Sequence, residues 1–251
     1  MKLENMTWPQ VAEYFKSKDT VVITVGSIEN HGTHLCLGTD YLVADKLAEM
    51  VEKKSDVLFT PSMPFGNADH HMAFPGTITL GEEGLYVVIR SIVESLFVHG
   101  ARRFVFLNGH GGNINGLQKV GAELNRIGGI AAVLNWWMIA PALNPAWAGG
   151  HASAQETSAI MAINEDWVDL GTLEEFRFNP VSENLPADSL STVKFKGVSI
   201  PVARSVDKVT SPGWCGPDSP KDATVKWGNE MLETVADFIT DFIKEFEKAQ
   251  I

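Results

Sequence analysis

The chain has 251 residues, a formal net charge of −11, and only two cysteines, Cys36 and Cys215. The acidic balance argues against a nucleic-acid partner, which rewards basic surfaces. No stretch approaches the roughly eighteen unbroken apolar residues of a membrane span, and two cysteines build no disulfide framework. With 45% hydrophobic and 20% charged residues, the composition is that of an ordinary water-soluble fold.

In chain order, the opening MKLENMTWPQ lacks the basic-then-apolar pattern of a signal peptide, so a cytoplasmic location is expected. The β-branched run TVVITV predicts a strand over 20–25. Leu42, Val43, Leu47, Met50 and Val51 recur at helical spacing and predict a helix over 40–54. DVLFT predicts a strand at 56–60. Leu85, Val88, Ile89, Ile92, Val93 and Leu96 mark a helix over 82–99, ending at His99-Gly100. RFVFL (103–107) and IAAVLN (130–135) read as strands around a helix over 113–127. Helices follow at 154–164 and 222–249. The region 176–220, rich in Pro, Ser and Asp with one strand-like run near 193–203, reads as loops over the ligand-binding end of the sheet. Strand–helix alternation predicts an α/β fold with a mostly parallel sheet covered on both faces, as one domain over 1–251.

Polar residues concentrate just past two of these strands. GSIENHGTHLCLGTD follows TVVITV, and NGHGGN follows RFVFL. In open α/β sheets, ligands bind beyond the carboxyl ends of the strands. A third segment, HASAQETSAIMAI, opens the helix near 154. Each residue alone has an ordinary reading: Asp40 as a helix N-cap, Glu156 as a first-turn carboxylate, GHGGN as a phosphate-cradling turn. Together Glu29, His31, Asp40, His110 and Glu156 form a mixed nitrogen and oxygen set suited to zinc or manganese, with a carboxylate able to bridge two cations.

These segments, with FPGTITL and HGARRFVFLNGHGGN, make the sequence resemble the creatininase family of creatinine amidohydrolase-like metal hydrolases. The matching motifs cover most of residues 20–165 in family order. The resemblance implies a three-layer α/β/α sandwich and two divalent cations per chain, zinc or manganese, with iron or magnesium as further options. It implies Glu29, His31, Asp40 and His110 as ligands, with Asp40 bridging and Glu29 and His31 on different cations. His151 matches the histidine that moves protons in catalysis, and Trp137 and Trp147 match tryptophans flanking the substrate. It also implies a homo-oligomer, a hexamer favoured, acting on a small molecule. The sequence departs from bona fide creatininases in two places. They carry an acidic ligand two residues after the His of N-G-H, where this chain has Gly112; Glu156 is the expected fifth ligand instead. The segment GNADHHMAFPGT is short and brings His70 and His71 near the site, with His71 expected to meet the substrate. These departures argue against creatinine itself. The expected activity is hydrolysis of a non-peptide C–N bond, in a cyclic amide or formamide, by a metal-activated hydroxide. Two alternatives stand beside it: a metal-dependent isomerase or lyase using the same two-cation site, and a non-catalytic binder using GHGGN.

Overall fold

The computed structural model describes all residues, Met1–Ile251. Its centre is a four-stranded parallel sheet in the order β2-β1-β3-β4, built from β1 (Thr20–Val25), β2 (Leu58–Phe59), β3 (Arg103–Asn108) and β4 (Ile130–Asn135). The register pairs Val22 with Val105, and Val105 with Ala132. Such a sheet is covered on both faces, which is why TVVITV carries apolar residues on both faces and is buried at every position.

Alternate side chains feed two cores. Val22, Val105 and Leu107 pack against α2 (Thr39–Glu52), α6 (Ala154–Ile163) and α8 (Val225–Phe246), through Leu47, Ile160, Met231, Val235 and Ile239. Val21, Ile23, Phe104 and Phe106 face α3 (Gly81–Val98) and α4 (Ile114–Arg126), through Leu85, Ile89, Leu117 and Val120. The result is the three-layer sandwich. Each fully buried aliphatic side chain contributes about 1.5–3 kcal/mol, and the stripe on α8 packs that helix chiefly against α6 and α2. The Thr224 side chain accepts the Trp227 N–H at 3.1 Å and starts α8.

The structure adds elements that the apolar pattern does not reveal. Helix α1 (Trp8–Tyr14) begins where Gln10 Oε1 accepts the Thr7 N–H at 2.7 Å. Helix α5 (Trp136–Leu143) follows β4 without a polar break and contains Pro141. Pro141 has no N–H for the Trp137 carbonyl one turn earlier. The Gln155 side chain supplies that donor instead, at 3.2 Å. The expected run near 193–203 is a hairpin, β5 (Thr192–Phe195) and β6 (Val198–Pro201), turning at Lys196-Gly197. Both turn residues have positive φ, as a two-residue hairpin loop demands. A single-turn helix, α7 (Val206–Val209), follows.

Candidate metal centre

The site lies beyond the carboxyl ends of β1 and β3. Close backbone approach brings the strand exits together. A Cβ on Gly109 would stand 2.1 Å from the Asp40 carbonyl oxygen, so only glycine lets the first turn of α2 sit against the β3 exit. Asn108 and Asn113 lock the loops. Asn108 Nδ2 donates to the His110 carbonyl (2.8 Å), and Asn113 Nδ2 donates to the Gly26 carbonyl (3.0 Å). Asn113 Oδ1 accepts the Asn67 N–H at 2.9 Å.

Glu29, His31, Asp40, His110 and Glu156 are all buried and converge there. Asp40 stands between the two histidines: Oδ1 is 3.1 Å from His31 Nε2 and Oδ2 is 3.0 Å from His110 Nδ1. Glu29 Oε2 lies 3.1 Å from His110 Nδ1, and Glu156 Oε2 lies 3.6 Å from His31 Nε2. Two triads result, Glu29–Asp40–His110 and His31–Asp40–Glu156, with the ligand atoms of each within 4.8 Å of one another. They share Asp40. Glu29, His31 and His151 make a third such group.

The backbone sets the tautomers. His110 Nε2 is 2.8 Å from the Asn67 carbonyl, and His31 Nδ1 is 3.1 Å from the Glu29 carbonyl. A carbonyl only accepts, so each of those nitrogens carries the proton and the opposite nitrogen turns a lone pair toward the carboxylates. Glu29 Oε1 and Asp40 Oδ2 are buried without a hydrogen bond. Lone pairs converging on anionic oxygens in a dry site call for positive charge between them. The donor set therefore fits divalent cations, and the carbonyl-to-imidazole contacts are the outer support that metal-binding histidines use.

Without a cation, protons fill that role. Burial disfavours the His31 cation, but Asp40, Glu156 and Glu29 overcome it and lift His31 to about 10. His110 is raised well above its usual value, since Glu29 and Asp40 outweigh burial. Burial pushes Glu156 up to about 7. His151 moves the other way: burial and then the His31 charge hold it well below its usual value. Its Nε2 donates to the Asn30 carbonyl at 2.8 Å, leaving Nδ1 as a neutral acceptor.

A cavity of about 930 Å³ opens over the carboxylates, and His71, His151 and Trp137 line it. His71 Nε2 lies 3.3 Å from Glu29 Oε1. Trp147 is not on this wall. Its carbonyl accepts from Gln155 Nε2 at 2.6 Å, and its ring packs on the apolar core. The departure at Gly112 has a steric cause, because a Cβ there would lie 2.1 Å from the Asn67 carbonyl and 2.5 Å from His110 Nε2. No acidic side chain fits at that position in this conformation, and Glu156 faces the site from α6 instead.

Two residues acquire roles that spacing did not indicate. His34 is buried, and its Nε2 donates to the Ala152 carbonyl at 3.0 Å. Ala152 has a φ of 54°, rare for a residue with a Cβ, and its N–H donates to Glu156 Oε2 at 2.6 Å. His34 thus helps hold the turn that aims both His151 and Glu156. The second is Arg204, on the cavity wall between β6 and α7. Its position depends on how the hairpin folds over the site, which periodicity does not report.

The creatinine amidohydrolase family model matches residues 4–243. Creatinine amidohydrolase of Pseudomonas putida is 27% identical over 96% of this chain and 95% of its own length. A mycofactocin precursor peptide peptidase of Mycobacterium ulcerans is 30% identical over 72% of this chain and 69% of its own. Among solved structures, a variant creatininase described as the Zn-Zn type superposes with a TM-score of 0.73 at 25% identity, covering 97% of each chain. A match over nearly the whole chain, together with the shared three-layer fold and a buried histidine–carboxylate cluster at the strand ends, makes this chain a member of the creatininase family of hydrolases.

Proposed function

We propose that this chain is a metal-dependent amidohydrolase, one domain over 1–251, that cleaves a non-peptide C–N bond in a cyclic amide or formamide. It holds two divalent cations, zinc or manganese. The observation that carries the reading is the pair of buried triads sharing Asp40. Glu29 and His110 complete one triad, and His31 and Glu156 the other. When bound, such cations polarise a carbonyl and lower the pKa of water toward neutrality.

The remaining work falls to side chains. His151 Nδ1 is unprotonated and free of internal partners, so it accepts the proton of the attacking water. The same nitrogen then protonates the leaving amine, which departs poorly as an anion. Asn30 fixes the ring through Nε2, so only Nδ1 takes part. Trp137 offers a flat apolar wall to a planar amide, and His71 packs beside His151 at 4.7 Å between ring centroids.

The reading extends to a cytoplasmic homo-oligomer, a hexamer favoured, acting on a small molecule. No helix is long and apolar enough to cross a membrane, and Phe195, Val198 and Ile200 leave the hairpin partly apolar and exposed.

The test combines metal analysis with a panel of lactams, formamides and cyclic ureas. About two equivalents of zinc or manganese per chain and release of an amine with an acid are expected. His151→Ala keeps both cations and loses about 10²- to 10⁴-fold in turnover, the range of a positioned acid–base group. Turnover within a few fold of wild type, or loss of a cation in this variant, removes the proton-transfer role from His151. An isomerised product without amine release sinks the amidohydrolase reading.

A further inference from the structure

Arg204 is the one Lys or Arg side chain on the cavity wall, which also carries the carboxylates of Glu29, Asp40, Glu82 and Glu156 and four histidines. A cation facing that many carboxylates would be expected to pair with one of them, yet Arg204 forms no ion pair within the chain. Its Nη1 donates to two backbone carbonyls, Asn179 at 3.0 Å and Lys208 at 3.4 Å. Its Nε is buried with no acceptor.

The fold puts deliberate effort into this placement. The Val202 N–H donates to the Ser191 carbonyl at 2.8 Å, which pins the base of the β5–β6 hairpin. Ser191 and Arg204 both line the cavity that the metal-ligand cluster opens into. With Nη1 held by the backbone, the guanidinium is oriented, and Nη2, which has no partner within the chain, remains for an outside acceptor.

We infer that Arg204 is a specificity-determining residue that binds a carboxylate on the substrate, so that the cleaved amide belongs to a monoanionic amide acid. The inference rests on the amidohydrolase reading and names its substrate class. A carboxylate accepts a charge-assisted hydrogen bond from a guanidinium N–H, whose direction the planar group fixes in a way a flexible lysine ammonium does not. A phosphate dianion fits less well, since a single counter-charge would have to hold it in a wall lined by carboxylates. The cation centre takes the amide, and Arg204 takes the far carboxylate.

The experiment measures calorimetric affinities of the zinc-loaded chain for matched pairs: N-formylglycine against N-formylglycinamide, and 5-oxoproline against its carboxamide. Amine or acid release is followed in parallel. In the wild type, the carboxylate member should bind at least about tenfold tighter, equivalent to about 1.4 kcal/mol. That ratio should fall below about twofold in Arg204→Gln and lie between in Arg204→Lys, which keeps the charge but loses the fork. A role confined to holding Asn179 and Lys208 would weaken both members equally and leave the ratio alone. No preference in the wild type overturns the inference, and so does a preference undiminished in Arg204→Gln, because the carboxylate would then be binding the cations directly. Cleavage of neutral amides without charge preference removes the inference and leaves the hydrolase. Arg204-dependent carboxylate binding without any C–N cleavage leaves the subsite and removes the hydrolase.

Discussion

Asp40→Ala is the perturbation that most directly interrogates the shared centre. The Asp40 carboxylate is 4% exposed and touches a different histidine through each oxygen, His31 at 3.1 Å and His110 at 3.0 Å. Both triads therefore lose a charged donor in one substitution. Removing an outer hydrogen-bond partner of a metal ligand already costs about 10- to 100-fold in affinity. Loss of a direct shared carboxylate should exceed 100-fold at both positions, or about 2.8 kcal/mol each. The metal-free fold suffers as well, because stripping one partner from a buried ion pair costs about 3–5 kcal/mol. In a chain of this length that lowers the melting temperature on the order of 10 °C. The assay is metal content by mass spectrometry after dialysis against one zinc concentration, with circular dichroism as the control for folding. His110→Ala and Glu156→Ala provide the contrast, since each strikes a single triad and should leave about one cation. If Asp40→Ala keeps one full equivalent, Asp40 does not bridge and the two-triad geometry is wrong.

Two further outcomes follow from the same geometry. His31 in the metal-free protein is raised from 6.5 to about 10, and Glu156 from 4.5 to about 7. A raised folded value contributes stability that is complete below the unfolded value and is lost as pH climbs through the folded one. The Glu156 contribution is lost between about pH 4.5 and 7 and the His31 contribution between about pH 6.5 and 10, so chelated protein should melt progressively earlier from pH 7 to pH 10 through His31, whereas zinc-loaded protein should not. A flat chelated profile across that window contradicts the proton-filled centre. Gly109→Ala places a Cβ against the Asp40 carbonyl, 2.1 Å away in the present backbone. It should cost about 1–3 kcal/mol in denaturant unfolding, the range for overpacking, and should weaken zinc binding together with stability. Wild-type zinc affinity in a folded Gly109→Ala chain would show that this close approach does not set the position of Asp40.

The sequence by itself determined the layers and the membership of the buried cluster. TVVITV and RFVFL put apolar side chains on both faces of their strands, the pattern of a strand covered on both sides. The helical stripes of 40–54, 82–99 and 113–127 had one way to bury themselves, against that sheet. Strand order then placed the polar segments after β1 and β3 at one edge, so Glu29, His31, Asp40 and His110 were legible as a group. Other features depended on contacts between distant segments. In helix α5, Gln155 satisfies the carbonyl that Pro141 leaves without a donor. Trp147 lies off the cavity wall, with its own backbone carbonyl accepting from Gln155 and its ring on the apolar core. Gly112 carries no ligand because Asn67 and His110 already fill the space a Cβ would take. The tautomers of His31, His110 and His151 were likewise decided by backbone carbonyls of residues 29, 67 and 30. Periodicity and motif spacing record what each segment must bury. Which lone pair faces which oxygen, and where Arg204 lies on the cavity wall, is fixed only when segments far apart in the chain are packed together.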